Sequence, residues 1–463
     1  MKLFPDRQEP SAPRTLIHFS LVLVLFFSAT AVTHLFLQNE HIYSICKSFV
    51  KTYEVIKNDD GSWYADRTEK PFMRIENNNL LSWDAEHYDN IRQHLYDSRH
   101  SWVGEYAFFP LFSLLWKGLH VGPAGICLVN LLLFIVGAAI MVSLFRKQIP
   151  RWMYLLVLCM PFLVIYAIPY SEALFFLTTA IGLFGLTKGK YSMYFVGFFL
   201  ASMTRAAGNI LLVAWLITDI LAALAAHKGW KTFLRDTALH LAPVVTGGAL
   251  VMLFQHLRGA EHWFEYIIAQ KEWNKELSLP TWPLTDWSNE GESVTKPLLF
   301  ILFIPALAWL ALTLFRSAQA PKNGNDFDSR QQLRLLSVLF FVGNIVLALF
   351  TQKGCMYSQA RLLTCTPFFL FLILDMASHE HHRLWDYTLA AFIVLSLVLC
   401  RHMQFHTYTL GLPITLGLIL LVFFHRRMPD WLTKTLLAVT CLLNIFWTAY
   451  LFNCFMNGGW IFT

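Results

Sequence analysis

A short polar segment, Leu81-Ser-Trp-Asp-Ala-Glu-His-Tyr-Asp-Asn-Ile-Arg, sets Asp84, His87, Tyr88 and Ile91 three and four residues apart. On a helix starting near Asp84 these positions share one face. That face presents a carboxylate, an imidazole, a phenol and an apolar anchor, the groups needed to hydrogen-bond a polar ligand and take up a proton. Gly104-Glu-Tyr-Ala-Phe-Phe-Pro-Leu-Phe follows and adds a second carboxylate, Glu105. A bland account competes: Asp84 is also a good helix cap, and on this segment alone the two readings stand level. A lone His87 is commonly structural. The stretch from Ala107 reads by default as an amphipathic interfacial segment, with Tyr106 and Trp116 in an aromatic belt. It holds about 13 apolar residues before Lys117, too few to span a bilayer.

These residues must be held by apolar helices. The chain has 463 residues, 56% hydrophobic and only 14% charged, against about 25% charged in soluble domains. Long uncharged runs exclude an ordinary soluble enzyme, a disordered chain and a small disulfide scaffold. Short alternating barrel strands are not seen. The expectation is an all-α polytopic membrane protein, one integral-membrane domain over 1–463. About 20 apolar residues cross a bilayer, which marks spans near 15–38, 122–145, 152–168, 170–187, 191–206, 209–227, 237–257, 296–315, 335–351, 361–378, 385–401, 405–424 and 431–453. The first is too long for a signal-peptide core and reads as a retained helix.

Charge placement orients the scheme. Lys2, Arg7 and Arg14, then Arg146 and Lys147, Lys188 and Lys190, Lys228 and Lys231, Arg330 and Arg334, and Arg426 and Arg427 fall on the cytoplasmic side. Arg205, Lys353, Arg361 and Arg401 fall outside. The net charge of +6 therefore reflects topology, not nucleic-acid binding. Two outer loops are long, 39–121 and 258–295, and a polar cytoplasmic connector covers 316–334. The eight cysteines lack metal-ligand spacing, and no P-loop or dinucleotide fingerprint occurs.

Trp83-Asp-Ala-Glu-His-Tyr with Glu105-Tyr-Ala-Phe-Phe-Pro-Leu-Phe resembles the first luminal loop of the PIG-V family. Pro169-Tyr-Ser-Glu-Ala-Leu-Phe, Met203-Thr-Arg-Ala-Ala-Gly-Asn, Gln270-Lys-Glu-Trp-Asn and Arg361-Leu-Leu-Thr-Cys-Thr-Pro resemble further family segments, in family order. The likeness covers most of 81–375. Ile91-Arg-Gln-His-Leu-Tyr and the shorter second loop depart from the family pattern, and these departures bear on the acceptor more than on the enzyme class. The family is the second mannosyltransferase of GPI-anchor assembly, with bacterial relatives. The resemblance thus implies a GT-C-like bundle of about 11–13 helices with a long first extracytoplasmic loop. It implies transfer of a sugar, mannose first among them, from a polyprenyl- or dolichyl-phosphate carrier to a glycolipid or glycan hydroxyl on the non-cytoplasmic face.

Under that resemblance an acidic residue of the first outer loop is the base. Asp84 is the first candidate, with Glu105 as runner-up or acceptor-orienting partner. A phosphate leaving group departs as a stable anion, so cationic stabilisation matters more than a general acid. Arg205 and Arg361 are the forked donors for that phosphate, with interfacial snorkelling as the plain alternative. Glu172, Trp83, His87, Tyr88, Trp273 and Asn274 complete the expected binding set. Glu172 is equally at home in a first helical turn, and Trp273 in the interface. No protein metal site is expected; a divalent cation on the phosphate and a partner subunit are left open. The compact loops lean towards a bacterial inner-membrane protein, the endoplasmic reticulum being the eukaryotic equivalent. Rival classes are a lipid or solute transporter, which uses paired mid-membrane charges or broken helices in repeated halves, and a non-catalytic assembly subunit. A diphosphate-using ligase is a variant within the enzymes.

Overall fold

The computed structural model describes residues 13–46, 54–57, 63–66, 72–97, 100–145, 150–226, 228–279, 329–351, 358–378, 410–459 and 461. The spans expected near 296–315 and 385–401, residues 280–295 of the second loop, most of the 316–334 connector, and Lys353 and Arg401 lie outside the described residues.

The described chain is predominantly helical. Five helices are long and apolar enough to cross a membrane: α1 (Pro13–Leu37), α5 (Pro123–Ser143), α9 (Trp230–Leu257), α11 (Ser329–Thr351) and α15 (Asp430–Met456). Shorter helices pack among them: α6 (Glu172–Lys188), α7 (Tyr191–Thr204), α8 (Gly208–Ala225), α13 (Pro367–Ser378) and α14 (Gly411–Phe424). The apolar runs therefore form a helical membrane protein.

Helix α6 stops at Gly189, whose φ of 63° is the left-handed cap conformation that glycine adopts freely. The chain then returns as α7 in close contact with α6. A Cβ on Gly197 would collide with the backbone of Gly182, so a small residue sets this approach.

One expected span is not an α-helix. Residues 152–168 form two 3-10 segments, Arg151–Cys159 and Leu163–Ala167. Pro161 removes a backbone donor between them. Phe162 turns the chain with φ 61°. This irregular stretch is nonetheless core, with Leu156, Val164, Tyr166 and Ile168 fully buried. Free carbonyls there need donors from the protein, and two asparagines supply them. Asn444 on α15 donates to Leu158 and Met160 at 2.7 and 2.9 Å; Asn130 on α5 donates to Ile168 and Tyr170 at 2.7 and 2.9 Å.

The first long loop is tied to the bundle at its described residues. It carries α2 (Glu40–Cys46) and a small antiparallel hairpin, β1 (Glu54–Lys57) with β2 (Trp63–Asp66), absent from the helical expectation. The Met73 backbone accepts from Gln38, just past α1, at 2.9 Å and donates to Asn453 of α15 at 2.8 Å. Then come α3 (Asp84–His94), a 3-10 turn at Val103–Ala107 and α4 (Pro110–Leu119). Tyr106 and Trp116, expected in an interfacial belt, are buried in protein instead. Trp116 packs with Tyr88 and Phe112 and its indole donates to the Val121 carbonyl at 2.8 Å. The second loop contributes α10 (Glu265–Ile268) and the 3-10 turn Ala269–Trp273. A short helix, α12 (Gln359–Thr364), precedes α13.

Candidate functional site

The start of α6, the end of α7, the start of α8 and α12 meet the start of α3 at one end of the bundle. Four ionised side chains converge there. Arg361 of α12 is ion-paired to Asp84, its Nη1 2.8 Å from Oδ2, and its Nε lies 3.2 Å from Oε1 of Glu172. Arg205, just past α7, is ion-paired to the same Glu172 oxygen. Glu172 and Arg361 are buried, at 3% and 7% exposure, while the Asp84 side chain is 18% exposed. Breaking a pair this deep costs about 3–5 kcal/mol, because a buried charge is left behind. The burial thus ties the site to the fold.

Local sequence explains the convergence. Helix α3 begins at Asp84 rather than being capped by it. The residue before it, Trp83, sits at φ 55°, ψ −128° and makes no side-chain cap bond. That conformation is strained for a bulky residue. It is held by the Trp83 indole, which donates to the Gly458 carbonyl at 2.9 Å beyond α15. The capping reading of Asp84 therefore gives way: its carboxylate turns to Arg361. Glu172 does occupy a helix first turn, as its plain reading has it, and is also the centre of the network. Arg205 is inside the protein, not snorkelling.

Helix α3 forms where the spacing predicts, but the expected face divides: Asp84 and Tyr88 turn to the network and His87 to a second cluster. Tyr88 and Ile91 are buried. The Tyr88 hydroxyl lies 2.6 Å from that of Ser171, which neighbours Glu172. Burial pushes the Tyr88 phenol well above its ordinary value, with Arg205 opposing and Glu172 and Asp84 adding to the rise. It is a neutral hydrogen-bonding group. His87 points the other way along the loop, its Nδ1 3.6 Å from Glu105 Oε1. Glu105 is buried and accepts from Asn90 at 2.7 Å, so it belongs to a separate cluster from Asp84. Trp273 joins Glu105's cluster, its ring 5.1 Å from His87 and its indole donating to the Gly104 carbonyl at 2.9 Å. Asn274 turns the chain at φ 53° with an exposed side chain; nothing brings it to the network.

Three participants escaped the sequence reading. Tyr170 accepts from the Asp84 backbone N–H at 3.2 Å and lies beneath the Arg361 guanidinium at 5.3 Å. Ser171 bridges Tyr88 to the network. Both lie in the Pro169–Glu172 motif, which was the available signal. Lys275 had none. It is half-buried one residue past Asn274. Burial lowers its pKa, repulsion from Arg361 lowers it further, attraction to Asp84 opposes and Arg205 adds to the fall. Two arginines thus share this end of the bundle with two carboxylates, and their charges reach Lys275.

A narrow cleft adjoins the network, lined by Glu172, Arg205, Arg361, Phe175, Phe340 and Cys365. It is polar towards the ion pairs and apolar towards Phe175 of α6 and Phe340 of α11. Both carboxylates of the network already face Arg361, and among the described residues no group of three or more His, Cys, Asp or Glu side chains is placed to hold a metal ion. Comparison with family models, with curated proteins and with solved structures finds no match.

Proposed function

We propose that this protein is a membrane glycosyltransferase of the GT-C kind, similar to the PIG-V mannosyltransferases. It would move a sugar, mannose first among them, from a polyprenyl-phosphate carrier to a glycan or glycolipid hydroxyl. The observation that carries the reading is the partly exposed Asp84 carboxylate on a buried Arg361–Glu172–Arg205 network. Base and phosphate-binding cations lie at one end of a helical bundle, beside a cleft with an apolar wall.

The chemistry follows from the shared arginine. At rest Arg361 neutralises Asp84. The carrier's phosphodiester, arriving beside Arg205 and Arg361, competes for the guanidinium with its two non-bridging oxygens. Asp84 is then freed as a base. The acceptor O–H gives its proton to Asp84 as its oxygen bonds the anomeric carbon. The bond from that carbon to the phosphate oxygen breaks, and the electron pair leaves on the phosphate, where the arginines stabilise it. A single displacement inverts the anomeric centre. The carrier's lipid would lie along Phe175 and Phe340. Donor before acceptor is the order this implies, and the loop end would face away from the cytoplasm, in keeping with the distribution of Lys and Arg.

A transporter would instead use charges inside the bundle, and one such pair exists. Asp219 of α8 accepts from or donates to His240 Nδ1 of α9 at 2.8 Å. His240 is stacked on Trp215 with ring centroids 4.4 Å apart, and its carbonyl accepts from Tyr194 at 2.6 Å. These contacts suit a clamp joining α7, α8 and α9 better than a moving ion site. The test of the transferase reading is consumption of synthetic polyprenyl-phosphate mannose by the purified, reconstituted full chain. Release of polyprenyl phosphate coupled to a glycosylated acceptor supports it. Movement of the intact carrier between leaflets without cleavage would replace it with the transporter reading.

A further inference from the structure

Beside the ion network, one turn along α3, four rings pack around Glu105. His87 stacks on Phe108 with centroids 5.0 Å apart and meets Trp273 edge-on at 5.1 Å. Trp102 and Trp273 meet at 5.2 Å with an interplanar angle of 63°, forming an open corner. Trp102 is 43% exposed, unusual for an indole in so aromatic a neighbourhood.

Gly104 builds this corner. The Trp102 ring lies directly over the place a Cβ would occupy, so only glycine admits it. The Gly104 carbonyl meanwhile holds the Trp273 indole N–H. One residue thus fixes both walls. Glu105 sits at the base, 4% exposed. Asn90 secures its Oε1, and Asn90 is itself anchored on the His100 carbonyl at 2.9 Å. The other oxygen, Oε2, is buried and has no hydrogen-bond partner among the described residues. A buried carboxylate oxygen without a donor is costly and calls for a physical reason, a bound donor being one.

We propose that this corner binds a hexopyranose ring of the acceptor; the assignment to the acceptor rests on the transferase reading. A pyranose offers an apolar C–H face, which suits the electron-rich indole faces, and a rim of hydroxyls, one of which would donate to Glu105 Oε2. His87 lies three residues after Asp84, about 4.5 Å along the helix axis. A sugar seated here brings a neighbouring hydroxyl to the base. An ammonium group also favours aromatic walls, but it carries three donors and the corner has one free carboxylate oxygen. That stoichiometry favours a hydroxyl.

The test is binding, which requires no turnover. Saturation-transfer NMR with methyl α-mannopyranoside on the full chain in lipid nanodiscs should show transfer to the ring C–H protons. Trp102→Ala and Trp273→Ala should each weaken it at least about tenfold, and Trp273→Phe, which keeps a ring, less. Gly104→Ala should mimic Trp102→Ala by displacing the indole. Glu105→Gln, nearly isosteric, keeps the test open if a tryptophan variant does not fold, and should also weaken binding. If the wild type transfers no saturation, or if the variants bind as it does, the proposal is overturned. Sugar binding in a protein that transfers nothing from the carrier would sink the transferase reading alone. In an active protein the Trp273→Ala change should raise the acceptor KM and leave the donor KM unchanged; a raised donor KM instead would contradict the acceptor assignment.

Discussion

Replacing Glu172 by Gln removes one charge from the centre of the network and changes little else in shape. Two arginines then lose a shared counter-ion. Arg361 retains Asp84 at 2.8 Å, so its loss is partial. Arg205, with a side chain 13% exposed, loses its ion pair. Breaking a buried pair costs about 3–5 kcal/mol; with one arginine partly rescued, the lower part of that range, about 3 kcal/mol, is expected. For domains of 150–250 residues 1 kcal/mol moves Tm by about 2–4 °C, and less in a longer chain. A fall of several degrees should follow in purified protein. The sharper assay is the double variant Glu172→Gln with Arg205→Gln. Removing both partners relieves the stranded charge, so the double variant should be less destabilised than the sum of the two single ones. A Glu172→Gln protein melting with the wild type, or strictly additive effects, would refute the buried-network reasoning.

Asp219→Asn should lower thermal stability by about 1–3 kcal/mol, through the hydrogen bond to His240, while leaving the rate of sugar transfer unchanged in an activity assay. A lost transfer rate would move this pair into the mechanism. A contact of Lys275 with an anionic donor would require the protonated amine, and burial lowers its pKa. Donor affinity should therefore weaken as pH rises through a value below the ordinary lysine pKa of about 10.4. Lys275→Arg, charged throughout, should flatten that profile of donor KM against pH.

Much of this arrangement was legible before folding. The run of apolar segments signals a helical membrane protein because length and hydropathy alone set that property. The helix bearing Asp84, His87, Tyr88 and Ile91 follows from their spacing, and α3 forms where that spacing places it. Glu172, Arg205 and Arg361 stood out because charge beside an apolar span is costly and so rarely idle. What spacing cannot convey is pairing. Nothing in sequence distance brings Arg361 to Asp84, or separates Glu105 into a different cluster from Asp84. The 152–168 stretch misled because hydropathy measures burial, not conformation. Its irregular backbone is tolerated only because Asn130 and Asn444 satisfy its carbonyls from other helices. Tyr106 and Trp116 misled for the complementary reason: an aromatic side chain suits a protein interior as well as a membrane interface. Lys275 carried no local signal of its own.

The central claim is that Asp84 is the base and Arg361 its gatekeeper. The most direct measurement compares mannose transfer from synthetic polyprenyl-phosphate mannose by wild type and Asp84→Asn, with carrier binding measured in parallel. The account predicts at least about a hundredfold loss of kcat in the variant. Carrier binding should be unchanged or tighter, because Arg361 no longer has to leave a carboxylate. Equal turnover in the two proteins, or loss of carrier binding with turnover per bound carrier intact, would contradict it.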